Sequence, residues 1–166
     1  MRKPNSNRRS FIQGSLAGTL TAGTAALALP VTAAGGARGP QKKVITRPGQ
    51  PLTPAALFSP AIQLGDLLFV SGAGAQDPKT HAVVPGHISD QVKQCLENIK
   101  VVLDAAGSSL DKVLKCTVLL TDIANFQAMN EVYHTYFPTN PPARTTMAVK
   151  ELPGESPVEI ECIAYV

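Results

Sequence analysis

Apolar positions along the chain switch between a period of two and a period near 3.6, and each switch marks an element. Lys43-Val44-Ile45-Thr46 is a short β-branched run that reads as a first strand. Pro48, Gly49, Pro51 and Pro54 punctuate the loop that follows. Ala61-Ile62-Gln63-Leu64 and Leu67-Leu68-Phe69-Val70-Ser71 flank Gly65-Asp66, a hairpin signal. Residues 72–86 are rich in Gly and Pro and read as loop. Val92, Leu96, Ile99 and Leu103 then fall on one helical stripe, with Ser89 or Asp90 placed to cap its start and Gly107 its end. Alternation returns over residues 113–121, which puts Leu114, Cys116, Val118 and Leu120 on one face. Asp122 caps a second helix in which Phe126, Met129, Val132 or Tyr133, and Tyr136 keep helical spacing, and Asn140-Pro141-Pro142 stops it. The end reads as a hairpin: residues 144–151, a turn through Pro153-Gly154-Glu155-Ser156-Pro157, then residues 158–166.

This order, β-β-β-α-β-α-β-β, predicts an α+β domain with one sheet and two helices on one face. Two helices cover one face of six strands. Val158, Ile160, Cys162, Ala164 and Val166 make one apolar row, and residues 114–120 make another. If one row faces the helices, the other needs cover from elsewhere, so a partner subunit is expected.

Composition changes the picture at one end only. The 166 residues are 44% hydrophobic and 16% charged, enough for one domain with a core and too short for two. The net charge of +3 suggests nucleic acid until its distribution is seen. Residues 1–34 hold Arg2, Lys3, Arg8 and Arg9 and no acid, which leaves 11 basic against 12 acidic residues in the remainder. The remainder is not basic, and a general grip on phosphate backbones loses its support. Asn7-Arg8-Arg9-Ser10-Phe11-Ile12, a mild apolar run over 16–30 and small residues after Pro30 resemble a twin-arginine export signal. A spanning helix needs about 20 solidly apolar residues, and Gly18, Thr19, Thr21, Gly23 and Thr24 interrupt this run. The expected organisation is a signal peptide at 1–34, a flexible linker at 35–41 and a domain at 42–166. That domain would be periplasmic or extracellular and free of the membrane.

Several chemistries lack their motif. There is no Gly-rich nucleotide loop and no nucleophile elbow. His81, His87 and His134 have no metal-like spacing, and Cys95, Cys116 and Cys162 sit singly in apolar surroundings as small buried hydrophobes. No metal or other cofactor is implied.

The C-terminal third is more specific. Pro141-Pro142-Ala143-Arg144-Thr145-Thr146 is followed at a set distance by Val158-Glu159-Ile160-Glu161. With Phe69-Val70-Ser71-Gly72, Leu96-Glu97-Asn98-Ile99, Ala105-Ala106-Gly107-Ser108-Ser109-Leu110 and Thr121-Asp122, the chain from about Lys42 to Val166 resembles the RidA/YjgF family of imine and enamine deaminases. The resemblance implies a chorismate-mutase-like fold with a single mixed sheet, and a homotrimer with clefts between subunits. It implies hydrolysis of 2-imino acids to 2-keto acids and ammonia. Arg144 matches the arginine that clamps the substrate carboxylate, a task suited to a guanidinium fork. Glu159 matches the glutamate that orients or activates water, which a carboxylate does by accepting its proton. Ser71 and Gly72 match a pair lining the pocket, and Asn130 matches a cleft-facing asparagine. Thr146 matches a position whose backbone touches the ligand, where many members carry cysteine.

Two departures bear on substrate range. Leu57-Phe58-Ser59-Pro60 stands where a tyrosine is usual, so Phe58 keeps the ring of a substrate-binding position and loses its hydroxyl. Ala73-Gly74-Ala75 replaces a larger, more polar run. The alternative to an enzyme is a non-catalytic module holding a small keto acid in the same cleft. An older reading of the family as endoribonucleases fits poorly with eight aromatic residues, no acid–base histidine pair and the charge balance. If the terminal hairpin places Glu159 opposite Lys150, then Glu159 and Arg144 stand roughly 20 Å apart at ~3.3 Å per residue. A shared site would then draw them from neighbouring subunits.

Overall fold

A computed structural model of the protein describes residues 39–166. Residues 1–34, where the sequence suggests an export signal, lie outside the described residues, as does the expected linker apart from residues 39–41. The order of elements is the expected one. Strands β1 (Lys43–Ile45), β2 (Ala61–Leu64) and β3 (Leu67–Gly74) precede helix α1 (Ile88–Ala106). Strand β4 (Val113–Leu120), helix α2 (Phe126–Tyr136) and strands β5 (Ala143–Ala148) and β6 (Val158–Tyr165) follow. The six strands make one sheet in the order β1-β2-β3-β6-β4-β5. Every pair is antiparallel except β4 with β5, and α2 provides the crossover that a parallel pair requires.

Local chemistry accounts for most of the boundaries. Gly65 takes φ 58° in the turn that sets Leu64 opposite Leu67. Strand β3 runs past Ser71 to Gly74 because a bulge absorbs the irregularity. Val70 faces Cys162 and Ala73 faces Ile160, so Ser71 and Gly72 together stand opposite Glu161. His87 takes the N-cap position of helix α1, two residues before Ser89 and three before Asp90, the caps expected from the sequence. Asp90 acts from inside the first turn, its Oδ2 accepting the His87 N–H at 2.9 Å. Gly107 ends the helix in the left-handed region, φ 77°, as expected. Asp122 accepts the Ala124 N–H at 2.9 Å and caps a short 3-10 turn that runs into α2.

Two expectations are corrected. The terminal hairpin does not form: β5 pairs in parallel with one edge of β4, and β6 pairs with its other edge and with β3. The segment between them crosses the end of β4, where the Val149 N–H donates to the Leu120 carbonyl and the Thr121 N–H to the Pro157 carbonyl. Burial explains the choice. Val158, Ile160, Cys162 and Ala164 are all buried between two neighbours in the middle of the sheet, whereas the polar Ala143–Ala148 strand tolerates an edge. The second correction concerns the apolar rows. Cys116 stands beside Cys162, Val118 beside Ile160 and Leu120 beside Val158, so both rows lie under the helices. Leu114 leaves its row because the register shifts between Val113 and Lys115. Fully buried Leu68, Leu96, Ile99, Leu120 and Ile160 anchor this core at about 1.5–3 kcal/mol each.

Among the described residues no helix lies on the other sheet face. Leu67, Phe69, Met147 and Tyr165 are each more than 40% exposed there. An uncovered apolar face therefore exists, but it is made of these residues and not of the rows read from the sequence.

Candidate active site

Arg144 projects from the edge strand β5 onto the helix-covered side. It shares that side because β5 sets it beside the buried Cys116 of β4. Its Nη2 donates to Asn130 Oδ1 at 2.6 Å, and its Nη1 lies 3.7 Å from Met129 Sδ. The guanidinium carbon stands 4.5 Å above the Tyr133 ring centroid and 5.8 Å from that of Phe126. Three turns of α2 thus hold one cation by a hydrogen bond and two aromatic faces. No carboxylate neutralises it, for the single ion pair among the described residues is Lys100–Asp104. A cavity of about 360 Å³ opens beside it, lined by Asn130, Tyr133, His134, Phe137, Pro141, Pro142 and Arg144 itself. Thr146, two residues along the same face, has a buried Oγ1 without a hydrogen-bond partner, as does the Tyr133 hydroxyl.

Glu159 belongs to a second group on the opposite face. Burial, and then the nearby Glu161 charge, raise its carboxyl above the ordinary carboxylate range. Gly72 is the reason the side chain fits, because a Cβ at that position would overlap the Glu159 carboxylate. Ser71 ties this region together: its Oγ donates to the Ser59 carbonyl at 2.8 Å and its N–H to the Pro60 carbonyl at 3.0 Å. Both donors of Ser71 therefore hold the loop that carries Phe58. Phe58 is 69% exposed and, with Gly72, lines a cavity of about 220 Å³.

The candidate residues thus form two clusters, Arg144 with Asn130 and Thr146, and Glu159 with Phe58, Ser71 and Gly72. In one chain they do not meet. Arg144 is level with Cys116 on β4 and Glu159 with Leu119, about 10 Å along the strand and on opposite sides of the sheet. The register argued from a terminal hairpin was wrong, and so was the roughly 20 Å drawn from it; what separates the two residues within one chain is the sheet itself, with Arg144 on one face and Glu159 on the other. Tyr133 and Met129 are additions to the Arg144 cluster. Their helical spacing with Asn130 places them on its side of α2, but apolar spacing reads as core. Cys95, Cys116 and Cys162 are buried free thiols whose burial raises their pKa, that of Cys162 to about 12, so none is a ready nucleophile.

One mixed sheet with two helices on one face, a half-buried cation at its edge and a desolvated carboxylate on its bare face define the class. The chain belongs to the endoribonuclease L-PSP family, whose model matches residues 49–166. It is similar to a RutC family protein of Pyrococcus horikoshii, 48% identical over 75% of this chain and 98% of that protein. It is also similar to the 2-iminobutanoate/2-iminopropanoate deaminase of Rattus norvegicus, 42% identical over 74% of this chain and 89% of that one. Among solved structures, E. coli TdcF with bound serine matches with a TM-score of 0.68 and 33% identity, covering 75% of this chain and 98% of TdcF.

Proposed function

We propose that this protein hydrolyses 2-imino acids and their enamine tautomers to 2-keto acids and ammonia, in clefts between the subunits of a homotrimer. The observation that carries this reading is the split site. An unpaired, rigidly held guanidinium and a desolvated carboxylate lie on opposite faces of one sheet, so a second copy must bring them together. In that arrangement Arg144 of one subunit takes the substrate carboxylate, with Asn130 steadying it and Thr146 beside it. Glu159 of the neighbouring subunit accepts a proton from water as the water oxygen bonds to the imine carbon. That proton passes to the imine nitrogen to give the carbinolamine, and the hydroxyl proton then follows it to nitrogen through the same carboxylate as the C–N bond breaks, the C=O forms and ammonia leaves. Gly72 gives Glu159 its room, and Ser71 fixes the loop on which the Phe58 ring closes the pocket. The sheet chemistry needs no cofactor in this scheme. Relatives named as imine deaminases at 42% identity support the same reaction class, while others carry only the RutC name.

Export through the twin-arginine signal at 1–34 belongs to the same proposal and places the domain outside the cytoplasm. A second reading, a keto-acid binding module, draws on the missing Phe58 hydroxyl. One assay separates the two. An amino-acid oxidase generates imino acids in situ, and their loss is followed with purified protein. The enzyme reading expects acceleration that Arg144→Ala removes, by about 100-fold or more in kcat/KM. Glu159→Gln is expected to lower turnover about 100-fold while keto-acid binding stays within about threefold. No acceleration by the wild type across several imino acids, with keto-acid binding intact, selects the module.

A further inference from the structure

We propose that the cavity beside Phe58 and Gly72 is a subsite for a second carboxylate on the substrate, with Arg47 as the specificity-determining residue. The proposal rests on the imine-deaminase reading and deepens it by naming a substrate class, 2-imino dicarboxylates. It begins from geometry on the Glu159 side of the site. Phe58 and Gly72 share this cavity with Arg47, Gln76, His81 and Asn98, so the pocket wall next to the Glu159 carboxylate continues into a polar recess. The recess has room because Ala73 and Gly74 form that wall. At Gly74 even a Cβ would run into Gln76 Oε1 and Ser156.

The donors in the recess are of two kinds. Some are already engaged: Asn98 Nδ2 donates to the carbonyls of Gly74 at 3.0 Å and Gln76 at 2.9 Å, and Gln76 Nε2 donates to Gly154 at 3.1 Å. The Arg47 guanidinium makes neither an ion pair nor a side-chain hydrogen bond among the described residues, though the residue is half-buried. Its backbone is fixed by the Gln50 N–H, which donates to the Arg47 carbonyl at 3.0 Å around Gly49 with φ 72°. The one carboxylate in the wall, Asp77, faces its own turn, where Oδ1 accepts the N–H groups of Lys79 and Thr80 at 2.8 and 2.9 Å. His81 ends that turn with φ 60° and an N–H donated to the Asp77 carbonyl at 2.9 Å, which keeps the residue at the rim of the recess.

A half-buried guanidinium without a partner among the described residues, in a recess where Asn98 and Gln76 are tied to backbone carbonyls and the Gln50 and His81 side chains stay exposed at the rim, suits a ligand carboxylate. The two arginines then divide the substrate. Arg144 of one subunit takes the carboxylate next to the imine, and Arg47, on the side of the reacting carbon where Glu159 works, takes the distal one. A monocarboxylic imine fills the first position and leaves Arg47 to water.

Calorimetric titration of the full chain with 2-oxoglutarate and with 2-oxobutanoate tests this without catalysis. Wild-type protein is expected to bind the dicarboxylate about tenfold more tightly, a single charge-assisted contact. Arg47→Gln is expected to erase the preference and Arg47→Lys to keep part of it. Equal binding of the two acids by the wild type, or a preference that survives in Arg47→Gln, overturns the subsite. Should Arg47→Gln not fold, the wild-type preference and Arg47→Lys still decide. Imine turnover is read in parallel. A dicarboxylate preference without turnover sinks the deaminase reading and keeps the subsite, whereas turnover without the preference does the reverse.

Discussion

The two faces of the sheet are built from the same alternating strands and end in opposite states. On the covered face, Leu68, Val70, Val118, Leu120 and Ile160 are buried against α1 and α2. On the bare face, Phe69, Met147 and Tyr165 remain more than two-fifths exposed beside Glu159, Glu161 and Thr117. The covered face is complete within one chain and makes the fold. The bare face leaves its apolar side chains exposed, and it carries Glu159, the carboxylate on which the proposed chemistry relies. On the proposed reading, stability belongs to one side and the proton-accepting carboxylate to the other, while Arg144 at the edge strand, with Asn130 and Thr146, sets the carboxylate clamp on the covered side.

Substitutions on each face sharpen that contrast. The largest expected effect is on the covered side. Ile160→Ala removes a fully buried side chain from the central strand and should cost about 2–5 kcal/mol in chemical denaturation. A cost under about 1 kcal/mol would mean that the core is not where the burial puts it. Phe69→Glu on the bare face should change the stability of a single chain by no more than about 1 kcal/mol. It should instead shift light scattering toward a smaller species and remove imine turnover with it. Retained assembly would show that the face packs elsewhere.

The smallest effect concerns Glu159 and pH. Because burial raises its pKa in the folded chain, the folded state holds that proton more tightly than the unfolded one. Stability therefore falls as pH rises from the ordinary carboxylate value through the raised one. Glu159→Gln should stabilise the fold at neutral pH, by about 0.5 kcal/mol or less since the group is partly solvated. The gain should vanish in acid, where both states are protonated. The acid limb of kcat, on the enzyme reading, should lie above the ordinary glutamate range. A melt that does not move at neutral pH would remove the desolvation.

Much of the fold was legible because its boundaries are local. Gly107, Asp122 and the Gly65-Asp66 turn act through their own conformational chemistry, and the structure keeps all three. The strand order was not legible, since β6 enters between β3 and β4 through pairings distant in sequence. A nine-residue connection with Pro and Gly reads as a hairpin whether or not its strands meet. The faces went astray for the same reason, as only the pairing of β4 with β6 sets both apolar rows on one face, and the shift at Leu114 moves that residue alone. At the site, the motif residues could be named, but their division between two faces could not. Arg47 lies in a proline-rich loop with no motif around it, and only the cavity it lines brings it to notice.

The central claim is that one site needs two chains, and subunit mixing tests it most directly. Arg144→Ala and Glu159→Gln would each be inactive alone, then unfolded together, refolded and assayed. If Arg144 and Glu159 come from neighbouring subunits, random mixing in equal amounts restores about a quarter of wild-type sites, and turnover returns to about that level. Turnover no higher than that of either variant alone would contradict the account.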